Sequence, residues 1–230
     1  MLELYDLAGA EEERRFSPFC WRIRLALAHK GLPVTTIPWH CTEKERIARS
    51  GQGRVPVLVD DGFWIADSWA IANHLEDEYP ERPSLFGGLL GRALSRFYNN
   101  WTDAVLQPGL IRFVLVDILR HIHEKDREYF RRSREERFRQ TLEAVVAGRE
   151  QRLAAFREGL APLRLTLEAQ PFLAGSAPLY ADYIVFGAFQ WVRCISDFPV
   201  LAADDPIASW RGRMLDLFDG LAGKAKGYPV

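Results

Sequence analysis

The chain has 230 residues, enough for one large domain or two modest ones with a sizeable buried core. Its 30 basic and 31 acidic residues leave a formal net charge of -1, which argues against a nucleic-acid partner. Three cysteines, Cys20, Cys41 and Cys194, show no metal-ligand spacing and fit reduced thiols better than a disulfide scaffold, so no metal is expected. The opening MLELYDL has no basic segment ahead of a long apolar one, and the longest apolar run, Ile111 to Leu119, is broken by Asp117. No membrane partner is expected, and a cytoplasmic location is.

Leu2 to Leu7 reads as a strand, followed by a polar loop from Ala8 to Phe16. Pro18 suits a first helical turn, where no amide hydrogen is needed, and the helix it opens stops at Gly31. Val34 to Ile37 gives a second strand. Thr42 with Glu45 forms a capping-box pattern for a short second helix. Val57 to Val59 and Phe63 to Ala66 flank an Asp60-Asp61-Gly62 hairpin turn. Ser68 is the expected cap of a third helix that Pro80 ends. The order β-α-β-α-β-β-α, with a parallel first pair and an antiparallel hairpin, is a compact α/β unit of thioredoxin type.

Strand signals vanish after Gly87, and Pro80 to Gly88 is the natural linker, which sets the expected domains at 1–82 and 88–230. Leu94, Phe97, Tyr98, Trp101, Val105 and Leu106 recur at helical spacing, with Pro108-Gly109 expected to kink or interrupt the pattern. Glu124 to Arg139 interleaves acids with bases and reads as a solvated helical face. Leu153 to Leu167 marks another helix, with a kink expected at Pro162. YADYIVFGAFQWV reads as a buried central helix, and Asp205-Pro206 opens a last one, with Ile207, Trp210, Met214 and Leu217 inward.

Three short pieces of the first half fit one chemistry. Ser17 sits at a helix N-terminus, where amides and the helix dipole favour an anion and where a hydroxyl can donate to a thiolate; taken alone, it reads more readily as a plain cap. Arg54-Val55-Pro56-Val57 precedes a short strand, and a cis peptide there would turn Val55 outward to pair with an extended peptide, although a lone Val-Pro step is more often trans. Asp67-Ser68 opens the third helix, with an acid for an ammonium and helix amides for a carboxylate, the two charges at one end of an amino acid. His121 and His123 lack further ligands at metal spacing, and Cys20 reads as a packing thiol inside the first helical turn.

This order, with R-V-P-V-L followed by D-S-W-A-I, resembles the glutathione S-transferase family over nearly the whole chain. The resemblance implies a thioredoxin-like N-terminal domain and an all-helical C-terminal domain, glutathione as co-substrate, and a homodimer. It places Ser17 on the glutathione sulfur with Phe19 beside it, Val55 on the cysteinyl backbone, and Asp67 and Ser68 on the γ-glutamyl end. His40 and Arg54 are its candidates for the glycine carboxylate, with Trp39 and Lys44 behind them. Tyr98, Trp101, Gln107 and Trp191 are its candidates for the wall facing a small hydrophobic or aromatic electrophile. Asp182 looks like the family's buried capping aspartate, although Leu179 stands where a Ser or Thr is usual.

The segments S-P-F-x-W-R, V-P-V-L-V-D-D-G-x-W and A-D-Y-I-V-F-G-x-F-Q-W are similar to the bacterial β-etherase-like group, which implies attack of the thiolate on an aryl ether. A non-catalytic carrier of hydrophobic ligands and a zeta-like isomerase, suggested by the R-x-R spacing of Arg22 and Arg24, are the alternatives.

Overall fold

A computed structural model of the chain describes residues 1–229. Its first part is a four-stranded sheet in the order β2-β1-β3-β4, made of β1 (Leu2–Leu7), β2 (Val34–Trp39), β3 (Val57–Asp60) and β4 (Phe63–Ala66). β1 runs parallel to β2 through the crossover helix α1 (Pro18–His29) and antiparallel to β3. The β3–β4 hairpin turns on Asp61 and Gly62, both with positive φ (45° and 92°), the geometry a two-residue primed turn needs. β2 runs two residues past the expected Ile37. Pro38 is tolerated because β2 is an edge strand, where a missing amide hydrogen breaks no ladder.

A 3₁₀ helix (Lys44–Ser50) lies between β2 and β3, and α2 (Ser68–Glu78) follows β4. Neither begins as the sequence suggested. Thr42 and Glu45 form no capping box: Glu43 holds the cap position without a side-chain bond, and the Thr42 hydroxyl donates instead to Asp126 at 2.6 Å. Ser68 is the first residue of α2, and Asp67 is its cap, accepting from the amides of Trp69 (2.9 Å) and Ala70 (3.1 Å).

The rest is helical. α3 (Leu89–Trp101) runs through a π-turn (Thr102–Leu106) into α4 (Gln107–Val114). Pro108 does not interrupt this rod. The wider turn just ahead of it absorbs a residue that can give no backbone hydrogen bond. There follow α5 (Glu124–Phe138), α6 (Leu142–Val146), α7 (Arg149–Gly159), α8 (Ala161–Ala169), α9 (Tyr180–Ile195) and α10 (Pro206–Gly220). Pro162 falls in the first turn of the separate helix α8, so the expected kink is a break at Leu160. On α10, Ile207, Trp210 and Met214 are buried as expected, whereas Leu217 leaves helical geometry (ψ 147°) and is only half-buried.

α3 is divided by face: Leu90 (89%), Leu94 (43%) and Phe97 (62%) are exposed, Tyr98 and Trp101 pack half-buried against the core, and Ser95 and Asn99 are buried. The reason lies opposite them: α1 presents the guanidinium of Arg22, fully buried, which demands polar partners.

α9 is the centre of the molecule, buried at every position but Arg193. Asp182 anchors its start, accepting from the amides of Leu173 (2.7 Å), Ala174 (3.3 Å) and Leu179 (3.2 Å) and from the Trp210 indole (3.0 Å). Leu179 has no hydroxyl to return the bond, so only the aspartate half of the capping motif forms. One continuous apolar core joins α1 and α2 to α9 and α10, and a smaller cluster of Trp39, Ile47 and Val57 packs as a separate group. The fold is thus a thioredoxin-like unit with a four-stranded mixed sheet, followed by a helical unit.

Candidate functional site

Ser17 is the N-cap of α1, in extended geometry, and is 4% exposed. Its Oγ accepts from the Cys20 amide at 3.2 Å, while its hydroxyl hydrogen has no acceptor among the described residues. The Phe19 amide likewise makes no hydrogen bond among the described residues, Pro18 has none to make, and no acid lies in the first turn. The corner therefore carries two free donors at the positive end of a helix dipole, a setting for an anion.

The Val55–Pro56 peptide is cis, and neither the Val55 amide nor its carbonyl has a partner among the described residues. Just beyond it, Val57 is paired on both sides, to Tyr5 and to Ala66, so the free backbone lies at the end of the sheet. At α2, Asp67 adopts φ 78°, ψ 129°, a conformation that costs a non-glycine residue of order 1–3 kcal/mol and collects at ligand clamps. Its cap bonds both use Oδ1, leaving Oδ2 for a cation. The Ser68 amide and hydroxyl are without partners among the described residues, while its carbonyl accepts from the Tyr180 hydroxyl at 2.8 Å.

Tyr180 begins α9, and Gly187 lies two turns further along it. A Cβ on Gly187 would sit 2.5 Å from the Pro18 carbonyl oxygen, so only glycine allows this approach. One buried helix therefore holds the N-termini of both α1 and α2 in register. The loop leading to Ser17 is tied to the helical half as well: the Ala10 amide donates to His121 O at 2.7 Å and Arg14 Nη1 to Cys194 O at 2.6 Å.

His40 is 6% exposed, its Nδ1 lacks a partner, and its ring lies 4.7 Å from that of His123. Burial, reinforced by Lys125, holds its pKa below the usual histidine value and favours the neutral ring. Arg54 is exposed and forms no ion pair among the described residues; Lys44 stacks over Tyr129 at 5.0 Å. The indole of Trp39 is already engaged, donating to Glu43 O at 2.7 Å. The loop bearing His40 is clamped by Asp126, fully buried, which accepts from the amides of Cys41 (2.8 Å) and Thr42 (3.0 Å). Asp126 was invisible in sequence because it lies inside the charged stretch that otherwise forms a solvated face.

The four acceptor-wall candidates are dispersed in burial and partners. Gln107 Nε2 donates to Asp103 at 3.3 Å, and Asp103 pairs with Arg22 at 2.6 Å. Arg22 also donates to Asn99 at 2.9 Å and covers the Phe19 ring at 4.6 Å, so Gln107 belongs to a polar network that reaches the Ser17 helix. Tyr98 and Trp101 are half-buried against the core, Tyr98 edge-on to Phe97. Trp191 is 5% exposed within α9 and offers little free surface. The Arg22–Asn99–Asp103 network was missed; an arginine inside an apolar helix was its one sequence signal. Among the described residues no group of His, Cys, Asp and Glu could hold a metal ion, and no helix is long and apolar enough to cross a membrane.

Residues 13–83 match the family model described as "Glutathione S-transferase, N-terminal domain", and residues 93–216 match "Glutathione S-transferase, C-terminal domain". Glutathione S-transferase DHAR2 of Arabidopsis thaliana is 40% identical over 79 residues, 34% of this chain and 37% of that protein. Maleylacetoacetate isomerase of Pseudomonas aeruginosa is 37% identical over 84 residues, 33% of this chain and 40% of that protein. The chain thus spans less than half the length of these two curated relatives. The crystal structure of the glutathione S-transferase CsGST63524 of Ceriporiopsis subvermispora in complex with glutathione superimposes with a TM-score of 0.78 and 25% identity, covering 95% of this chain and 96% of that one. With the two family models together reaching from residue 13 to residue 216, and the C-terminal one alone matching more than half of the chain, this protein belongs to the glutathione S-transferase family.

Proposed function

We propose that residues 1–82 bind glutathione and that residues 88–230 supply the wall against which it meets a small hydrophobic, aromatic electrophile. The observation that carries this reading is the free hydroxyl hydrogen of Ser17 at a buried helix N-terminus. Val55 pairs with the cysteinyl backbone. Asp67 Oδ2 takes the γ-glutamyl ammonium, while the Ser68 donors take its carboxylate. His40 and Arg54 face the glycine carboxylate, and Phe19 closes the site beside Ser17.

A free thiol with a pKa of about 8.5 is only a few per cent ionised at pH 7, and lowering that pKa by about two units makes the thiolate dominant, a differential stabilisation of about 2.7 kcal/mol. With a β-aryl ether as acceptor, the thiolate forms a C–S bond at the carbon bearing the aryloxy group. The C–O bond breaks with its electron pair on oxygen, and the phenolate takes a proton from solvent. Tyr98, Trp101, Gln107 and Trp191 are proposed for the acceptor side. Ser17→Ala should cut thiol transfer by about two orders of magnitude, as loss of one oriented donor does, while glutathione affinity stays within a few-fold. Wild-type turnover in Ser17→Ala, under conditions where chemistry limits the rate, overturns this role.

The match to maleylacetoacetate isomerase favours a second reading, glutathione-dependent isomerisation. Stoichiometry separates the two, because an isomerase returns glutathione unconsumed and an etherase retains it in a thioether. Binding without turnover of either kind would leave a carrier. The exposed stripe of Leu90, Leu94, Phe97 and Val105 supports a homodimer, because such a face is costly to leave in water. Sedimentation as a monomer near 26.3 kDa counts against it.

A further inference from the structure

Behind Ser17 lies a buried charge cluster that the thiol chemistry above does not use. Asp6, on β1, is fully buried, and neither carboxylate oxygen accepts a hydrogen bond from the described residues. Its nearest cations, Arg24 Nη1 at 3.5 Å and Arg15 Nη1 at 3.8 Å, stand beyond good hydrogen-bond distance. Cys20, fully buried one turn into α1, links the two places: its amide donates to Ser17 Oγ at 3.2 Å, and its thiol lies 4.0 Å from the carbonyl oxygen of Tyr5, the residue before Asp6. The guanidinium groups are held in place: Arg24 stacks over the Trp21 ring at 4.3 Å, and Arg15 Nε donates to Glu12 O.

Other charged and titratable groups close the cluster. The loop contributes Arg14, paired with Glu11 at 3.1 Å, and the exposed Glu12. α9 contributes the buried Cys194 and Arg193, whose guanidinium donates to backbone carbonyls of residues 222–225. Two guanidinium groups against one carboxylate leave a net positive charge behind the helix N-terminus. A carboxylate kept dry without hydrogen bonds weakens the fold, and an asparagine of the same shape would remove that burden. Such a group calls for an explanation other than stability.

We propose that Asp6, opposed by Arg15 and Arg24, is a positioning residue that sets the acidity of the thiol held at Ser17. The carboxylate raises the thiol pKa and the guanidinium groups lower it. The inference rests on the reading of Ser17 as the thiol-binding residue. Burial pushes the Asp6 carboxyl upward while Arg24 and Arg15 pull it back toward the ionised form. At an effective dielectric constant of about 20, one unit charge about 9 Å from a thiol moves its pKa by about one unit.

The test is the pH titration of thiolate ultraviolet absorbance with saturating glutathione, in wild type, Ser17→Ala, Asp6→Asn and Arg24→Met. Asp6→Asn should move the midpoint down by about one unit and Arg24→Met up by a similar amount, with folding checked by circular dichroism. If wild type shows no Ser17-dependent thiolate, the reading of Ser17 fails. If that thiolate is present but the midpoint stays put, or moves the same way in both variants, the role of Asp6 fails while that of Ser17 stands. Should Asp6→Asn not fold, the upward shift in Arg24→Met decides alone, and its absence overturns the proposal.

Discussion

The contact of Gly187 with the Pro18 carbonyl makes a sharp test of how α9 positions the Ser17 corner, proposed above to hold a thiolate. Gly187→Ala places a Cβ 2.5 Å from that oxygen and 3.4 Å from Arg22 Cγ. An ordinary contact needs about 3.4 Å, so the start of α1 must retreat by roughly 0.9 Å, because close-packed interiors hold no spare space. Neither obstacle is a flexible side-chain tip. Overpacking of this kind costs about 1–3 kcal/mol, and a misplacement near 1 Å at a reacting centre can cost about 100-fold in rate. Urea unfolding and glutathione turnover with an aromatic acceptor should therefore both fall, turnover by more than the stability loss explains. Gly212→Ala is the control: it lies in α10 with nothing within 4 Å of the added carbon, so a gain of about 0.5–1 kcal/mol is expected there. A Gly187→Ala protein with wild-type stability and turnover would refute the idea that α9 sets the position of Ser17.

Asp126→Ala removes the acceptor for two amides and the Thr42 hydroxyl, freeing the His40 loop. Steady-state kinetics should show the KM for glutathione rising severalfold with kcat little changed, and the opposite split argues against a binding role for that loop. Arg22→Met breaks a buried ion pair whose partner, Asp103, is 37% exposed and can rehydrate, so a loss of about 2–4 kcal/mol is expected in denaturant unfolding, and no loss means the network is inert. Burial pulls the Glu43 carboxyl up, but Lys125 and Arg46 bring it down to about 2. Its folded value lies below an unfolded glutamate's, about 4.3. Its stabilisation is therefore complete above that value and fades as pH falls toward 2. Lys125→Ala should shift the midpoint of acid unfolding to higher pH, and an unchanged midpoint removes Glu43 from acid stability.

Much of this molecule was legible in one dimension because local physics fixes it. Pro18 and Gly31 bound α1, Asp61-Gly62 makes the hairpin turn, Asp205 and Pro206 start α10, and the apolar run of α9 is buried as its composition demands. Each depends on neighbours within a few residues. The same local logic failed wherever a distant group competed for a side chain. Thr42 left its capping box for Asp126, 84 residues away, and α3 turned its leucines outward because Arg22, 77 residues before Asn99, needed polar partners. At the candidate site, sequence alone singled out Ser17, Val55, Asp67 and Ser68 by residue type and order. Only the tertiary structure decided that Ser17 keeps its hydroxyl hydrogen free, that Asp67 rather than Ser68 caps α2, and that Tyr180 and Gly187 hold both helix starts from one buried helix. Hydrogen bonds and close packing act in space, and no spacing along the chain records which partner will arrive.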